Sequence, residues 1–186
     1  ELVCIKPFPS MPLKFWNDKN NLKFKKAYFN KYKNIWHHGD YAKQTKNNGF
    51  IIFGRSDTTL NPGGVRLGTA EIYSEIEKFT EIKESLVVGQ SWDNDIRIVL
   101  FVILNSKYEL SENLIRRMKL QIRMNASPRH VPHKVIKISD IPRTKSGKIV
   151  ELAVKDLIEG NEIKNKEALA NPEALKQFRN IKELQY

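Results

Sequence analysis

Two short stretches combine glycine, positive charge and hydroxyl groups densely enough to do chemistry on an anion. The first is Gly54-Arg55-Ser56-Asp57-Thr58-Thr59-Leu60-Asn61-Pro62-Gly63-Gly64-Val65-Arg66-Leu67-Gly68. Its two arginines and its aspartate stand among residues that let a backbone come close to a ligand, so it can bind phosphate or ribose. An ordinary interdomain turn explains the same glycines, and spacing alone does not separate these readings. The second stretch is Ile141-Pro142-Arg143-Thr144-Lys145-Ser146-Gly147-Lys148-Ile149. Here Gly147-Lys148 closes a flexible loop just ahead of a helix, and the lysine can swing into a site; a plain surface lysine fits the same residues. A Walker-type phosphate loop is excluded, because no glycine stands five residues before Gly147 and neither Ser nor Thr follows Lys148.

Other chemistries find less support. His37 and His38 are neighbours on a strand and point to opposite faces, so they cannot readily chelate one ion, and His130 and His133 flank Pro132 with no Cys or carboxylate at ligand spacing. No metal site is expected. The formal charge of +11 over 186 residues points to an anionic partner: nucleic acid, a membrane surface or a phosphate-rich ligand. No zinc-finger, RRM or KH signature is present, and the aromatics fall mainly at core positions, not on a basic platform. No apolar run approaches the ~20 residues of a membrane span. Neither nucleic acid nor membrane is therefore expected as a partner, although a non-catalytic basic module stays open as the alternative. The single cysteine, Cys4, rules out an internal disulfide and fits a reducing compartment, the cytoplasm.

The elements that must carry these loops are mixed. Leu2 to Ile5 reads as a strand, ended by Pro7, Pro9 and Pro12. Ala27 to Phe29 reads as short helical or irregular chain, and Trp36 to Tyr41 with Phe50 to Phe53 as a hairpin turned at Asn47-Asn48-Gly49. Beyond the glycine-rich boundary, Thr69 is placed to cap a helix whose face is Ile72, Tyr73, Ile76 and Phe79. Ser85 to Gly89 and Ile98 to Leu104 read as strands, the second apolar on both faces and hence central in a covered sheet. Ser111 opens a longer helix with Leu114, Ile115, Met118 and Ile122 on one side and a basic stripe of Arg116, Lys119 and Arg123 beside it. Val135 to Ile138 reads as a strand and Ile149 to Ile158 as a helix. Asn171-Pro172 is placed to open a short helix running to Phe178.

Taken in chain order, four motifs resemble the acyl-adenylate-forming superfamily, and the likeness runs over nearly the whole chain. They are His-Gly-Asp at 38–40, Gly-Arg-Ser-Asp at 54–57, Gly-Gly-Val-Arg-Leu-Gly-Thr-Ala-Glu-Ile at 63–72 and Pro-Arg-Thr-Lys-Ser-Gly-Lys at 142–148. The resemblance implies an acyl-CoA synthetase, which joins a small carboxylic acid to the α-phosphate of ATP and then exchanges AMP for the thiol of coenzyme A. It implies an α+β fold: a β-rich end of the large domain at 1–56, a mobile catalytic domain with a central sheet of about three strands flanked by helices at 57–160, and an extension at 161–186. The large domain upstream in the same chain is the implied partner. ATP with Mg and coenzyme A are the implied cofactors, none held tightly by this stretch. Carried over by motif, Lys148 is the catalytic lysine, Asp40, Arg55 and Arg66 bind nucleotide, Asp57 is the hinge, and Gly63, Gly64 and Arg129 meet coenzyme A. The phosphate loop and acyl pocket of such enzymes lie upstream, so the stretch alone is expected to be inactive.

Overall fold

The computed structural model describes residues 1–163 and 166–185, and the chain divides into two compact units, Glu1–Asp57 and Thr58–Tyr186. In the first unit, strand β1 (Val3–Cys4), helix α1 (Leu22–Tyr28) and strand β2 (Trp36–His37) precede a hairpin of β3 (Asp40–Gln44) and β4 (Phe50–Arg55). The β1 and β2 strands pair antiparallel. An aromatic cluster holds this unit: Trp36, buried, stacks on Tyr28 at 3.7 Å between ring centroids, while Phe8 meets it edge-on at 5.2 Å. Helix α1 begins where the Asp18 carboxylate accepts the Lys23 and Phe24 N–H groups, each at 2.8 Å.

The stretch from Trp36 to Tyr41 is not one strand. It breaks at His38-Gly39, where Gly39 adopts φ +88°, and the residues on either side join different sheets. Gly39 could not be replaced without disturbance, since a Cβ there would lie 2.7 Å from Arg55 Nη2. The expected hairpin does form, closed by Thr45 and Gly49: the Thr45 N–H donates to the Gly49 carbonyl at 2.8 Å and the Gly49 N–H to Thr45 Oγ1 at 3.0 Å.

In the second unit, α2 (Thr69–Ile76) leads into β5 (Ile82–Trp92) and β6 (Asp95–Leu104), followed by α3 (Glu112–Asn125), β7 (Lys134–Lys137) and α4 (Glu151–Ile158). The sheet order is β5-β6-β7, with β6 antiparallel to β5 and parallel to β7. The expected α+β fold, a three-stranded sheet flanked by helices, is thus present, with β6 central. Its alternate residues serve two cores. Ile98, Leu100, Val102 and Leu104 pack with α2 and α3 residues Ile72, Ile76, Leu114, Met118 and Ile122. Val99 and Phe101 pack with Ala153, Val154 and Leu157 of α4 and with Leu175 and Phe178 beyond it.

The structure corrects three local expectations. Thr69 is the first helical residue of α2 and is buried, so Gly68 takes the cap position. The strands β5 and β6 extend to a two-residue hairpin turn, Asp93-Asn94, whose φ angles of 48° and 58° give the twist that matches paired strands. Asn171 does not cap the 3₁₀ helix Pro172–Phe178; its side chain is committed elsewhere. Ser111, by contrast, caps α3 as expected, accepting the Leu114 N–H at 3.2 Å. Residues 161–186, set apart in sequence as an extension, belong to the second unit, with 164, 165 and 186 outside the described residues. Phe178 is fully buried and meets Phe101 edge-on at 5.0 Å. Among the described residues no helix is long and apolar enough to cross a membrane.

Phe178→Ala should therefore cost about 3–5 kcal/mol of stability in urea unfolding of the 186-residue chain. Ser111→Ala should cost only about 1 kcal/mol. A near-neutral Phe178→Ala would show that the tail does not share the core.

Candidate functional site

In the first unit, β3 and β4 bring Asp40 and Arg55 opposite each other as a cross-strand pair. Arg55 Nη1 lies 3.7 Å from Asp40 Oδ1, and Arg55 grips Asp57 with two hydrogen bonds, Nε to Oδ1 at 3.2 Å and Nη2 to Oδ2 at 3.0 Å. His38 Nδ1 contacts the other Asp40 oxygen. Hydrogen bonds to Asp57 raise the Arg55 guanidinium above its already high range against the opposing effect of burial, and the charges of Asp57, Asp40 and Glu1 add to the rise. The guanidinium stays cationic. Asp40 and Arg55 thus place an acceptor and a paired cation side by side. Asp57, the last residue of this unit, is anchored back onto it through Arg55.

In the second unit the glycine pair forms a short turn, Pro62–Gly64, with both glycines exposed. The Gly63 N–H donates to both carboxylate oxygens of Asp95, at 2.8 and 3.0 Å, from the start of β6. Arg129 arrives from the turn after α3, and its Nη1 lies 3.0 Å from the point a Gly63 Cβ would occupy. A side chain at 63 would push directly on that guanidinium. Gly64 faces open space, with nothing within 4 Å of an added Cβ, and Arg66 is exposed two residues on. The structure thus brings Gly63, Gly64 and Arg129 together from distant parts of the sequence.

Behind Arg129 runs a chain of polar contacts that sequence reasoning misses. Ser127 Oγ accepts the Arg129 N–H at 3.2 Å and contacts His130 Nδ1 at 2.8 Å, and His130 Nε2 contacts Glu71 Oε2 of α2 at 2.9 Å. His130, expected as a loop residue, is buried. This network fixes the turn that carries Arg129 onto α2, the helix that begins just after the glycine pair. Asp95 escapes sequence reasoning as well; its only signal is the turn-type Asp93-Asn94 pair beside it. The basic stripe of α3 is partly committed: Lys119 Nζ donates to the His133 carbonyl at 3.1 Å, and burial, with the Lys134 charge, lowers its pKa.

Lys148 sits on a small hairpin. The Thr144 N–H donates to the Lys148 carbonyl at 2.8 Å, the Lys148 N–H to Thr144 Oγ1 at 3.1 Å, and Arg143 bridges Ile149. The Arg143 side chain closes the loop from within, donating to the Gly147 carbonyl at 2.9 Å and to Glu84 Oε2 of β5 at 2.6 Å. The backbone is therefore held while the side chain is exposed, and among the described residues the Lys148 ammonium has no hydrogen-bond or ion-pair partner. Gly147 beside it opens outward, with nothing within 4 Å of an added Cβ. Among the described residues, no three or more His, Cys, Asp or Glu side chains converge as a metal would need.

No protein-family model matches the chain. Over 184 residues, 99% of its length, it is 58% identical to the acetoacetyl-coenzyme A synthetase of Rhizobium meliloti (strain 1021). Over 187 aligned positions it is 50% identical to the acetoacetyl-CoA synthetase of Xenopus tropicalis. It spans only 28% of the length of each of these relatives. The solved acetoacetyl-CoA synthetase from Streptomyces lividans superposes with a TM-score of 0.90 at 38% identity, over 99% of this chain and 28% of that one.

The glycine turn should respond to acid. The Gly63 and Ile96 N–H groups hold the Asp95 carboxyl below its ordinary range, helped by the His133 and Arg129 charges and only partly opposed by burial. A depressed carboxyl contributes stability above its unfolded pKa, near pH 4, and loses it as pH falls through the lower folded value. Asp95→Asn should therefore flatten the loss of thermal stability between about pH 5 and 2 relative to wild type. Identical slopes in the two proteins would contradict the contact.

Proposed function

We propose, for a chain that belongs to the acyl-adenylate-forming acyl-CoA synthetases, that it supplies the lysine-bearing part of an acetoacetyl-CoA synthetase. The observation that carries this reading is Lys148: an exposed ammonium, without a partner among the described residues, on a hairpin whose backbone is fixed. In the first half-reaction an anionic carboxylate oxygen attacks the α-phosphorus of ATP, and pyrophosphate leaves. The reactants repel. One ammonium about 4 Å away offsets roughly 4 kcal/mol at an effective dielectric near 20, before desolvation is subtracted. A positioned charge of this kind is worth on the order of 10²- to 10³-fold in rate.

Asp40 binds the ribose hydroxyls in this reading, and Arg55 supports ribose or phosphate beside it. In the second half-reaction the thiol of coenzyme A attacks the acyl carbon and AMP leaves. The Gly63-Gly64 turn lines the pantetheine arm, Arg129 meets a coenzyme A phosphate, and Arg66 meets phosphate of the nucleotide. Asp57 is the hinge: the boundary between the two compact units falls directly after it, and rotation there lets one site serve both steps. The nucleotide-handling large domain lies upstream in the same polypeptide, and the reaction runs in the cytoplasm with Mg brought by ATP. Acetoacetate is favoured over acetate by the Asn61-Pro62-Gly63-Gly64 sequence and by the tail Asn171-Pro172-Glu173-Ala174-Leu175-Lys176-Gln177-Phe178-Arg179-Asn180-Ile181, both of which look like acetoacetyl-CoA synthetase.

Three outcomes test this. In the intact ligase, Lys148→Ala should slow acetoacetate-dependent ATP–pyrophosphate exchange by about 10²- to 10³-fold, while CoA transfer to preformed acetoacetyl-AMP stays within a few-fold. Equal loss in both steps would refute the assignment. The 186-residue chain alone should form no acyl-CoA from acetate or acetoacetate, and the intact enzyme should prefer acetoacetate in a side-by-side assay. A preference for acetate would move the chain to acetyl-CoA synthetase.

A further inference from the structure

The chain beyond α4 lies against the Lys148 hairpin, meeting it just after the 3₁₀ turn Lys166–Ala168. Thr144 bridges Leu169, the Lys145 N–H donates to the Ala168 carbonyl at 3.1 Å, and the Ala170 N–H donates to the Arg143 carbonyl at 2.8 Å. Asn171 then turns inward, and both ends of its amide are engaged at the start of the hairpin. Its Oδ1 accepts the Arg143 N–H at 2.8 Å, while Nδ2 donates to Asp140 Oδ2 at 2.7 Å and to the Ile141 carbonyl at 2.9 Å. Gln177 adds a second grip. Its Nε2 donates to the Asp140 carbonyl at 2.6 Å, and its Oε1 accepts the Ser139 N–H at 2.8 Å.

We infer that Asn171 and Gln177 are positioning residues for Lys148, making the tail a clamp that fixes where the ammonium is presented. The inference rests on the reading of Lys148 as the cation of the adenylation step. Glycine at 147 would by itself leave the backbone wide freedom, so contacts from outside the loop must hold it, and the charge helps only if it reaches one place reproducibly. Arg143 and Thr144 tie the loop to itself and to β5, but both stand at its base, on the segment that Asn171 holds. Because Leu169, Leu175 and Phe178 sit in the core, the clamp is braced by burial, and its polar contacts act from a rigid backing. Misplacement of a catalytic group by about 1 Å can cost on the order of 100-fold in rate.

The test uses three variants in the intact ligase, with both half-reactions read separately. Asn171→Ala should lower the adenylation rate constant by about 10- to 100-fold, with KM for ATP and the CoA-transfer rate within about twofold of wild type. Ala170→Pro removes the donor to the Arg143 carbonyl at an exposed position and should give a smaller loss of the same kind, with β6 amide protection as the check that the core is intact. In the 186-residue chain carrying Asn171→Ala, the Lys145 and Lys148 amides should exchange faster while β6 amides keep their protection. If Lys148→Ala abolishes adenylation but Asn171→Ala and Ala170→Pro leave it unchanged, the lysine assignment stands and the clamp is overturned. If Lys148→Ala leaves adenylation intact, the underlying reading fails and takes the clamp with it. Equal loss of both half-reactions together with deprotection of β6 would make Asn171 merely structural and overturn the clamp; should that variant fail to fold, Ala170→Pro decides.

Discussion

A strand buried on both faces, Asp95–Leu104, sets the position of each chemically equipped loop in the second unit. Its residues alternate between two apolar cores, one closed by α2 and α3 and the other by α4 and the tail. Slipping the register by one residue would exchange the two sets and put both cores out of fit. The strand begins at Asp95, which holds the Gly63 turn, and it pairs on one side with β5, whose Glu84 receives Arg143 from the lysine hairpin. Its other neighbour, β7, follows the turn that carries Arg129 and precedes the hairpin that carries Lys148. Loops far apart in sequence thereby share one rigid reference.

The charged side chains divide into those that are held and those that are offered. Arg55, Arg143 and Lys119 are committed to Asp57, to Glu84 and Gly147, and to the His133 carbonyl respectively. Lys148 and Arg66 are exposed at loop positions, where a long cationic side chain can meet an anion without first breaking a strong pair. The net charge of +11 gives a field that attracts such an anion, but geometry decides where it is bound. Asp95 takes the Gly63 N–H, so the backbone donor of the glycine beside Arg129 is already satisfied.

Much of this is legible in the sequence. The central place of β6 follows from an apolar run without alternation, and the cap at Ser111 from a hydroxyl residue ahead of a periodic face. Lys148 and the glycine pair stand out through the motifs that hold them, Pro-Arg-Thr-Lys-Ser-Gly-Lys and Gly-Gly-Val-Arg-Leu-Gly, whereas local composition alone fits a plain surface lysine and an ordinary turn. What stays hidden depends on partners remote in sequence. Asn171 looks like a helix cap by local rules, yet its amide is drawn to Arg143, Asp140 and Ile141, whose nearness no local pattern reveals. His130 reads as a loop residue until Glu71 and Ser127 are placed around it. The Trp36 to Tyr41 stretch has strand-forming residues at both ends, and only the φ of Gly39 shows that the chain changes sheets there.

Adenylation in this scheme turns on a positive charge delivered at one point, and chemical restoration of that charge tests it most directly. Lys148→Cys in the intact ligase, otherwise free of reactive cysteines, would be alkylated either with 2-bromoethylamine, which rebuilds an ammonium at nearly the same reach, or with iodoacetamide, which leaves a neutral amide. Adenylation should return with the first reagent and stay lost with the second. Equal recovery with both, or recovery with neither in a folded enzyme that still transfers acyl groups to CoA, would contradict a role for the ammonium in adenylation.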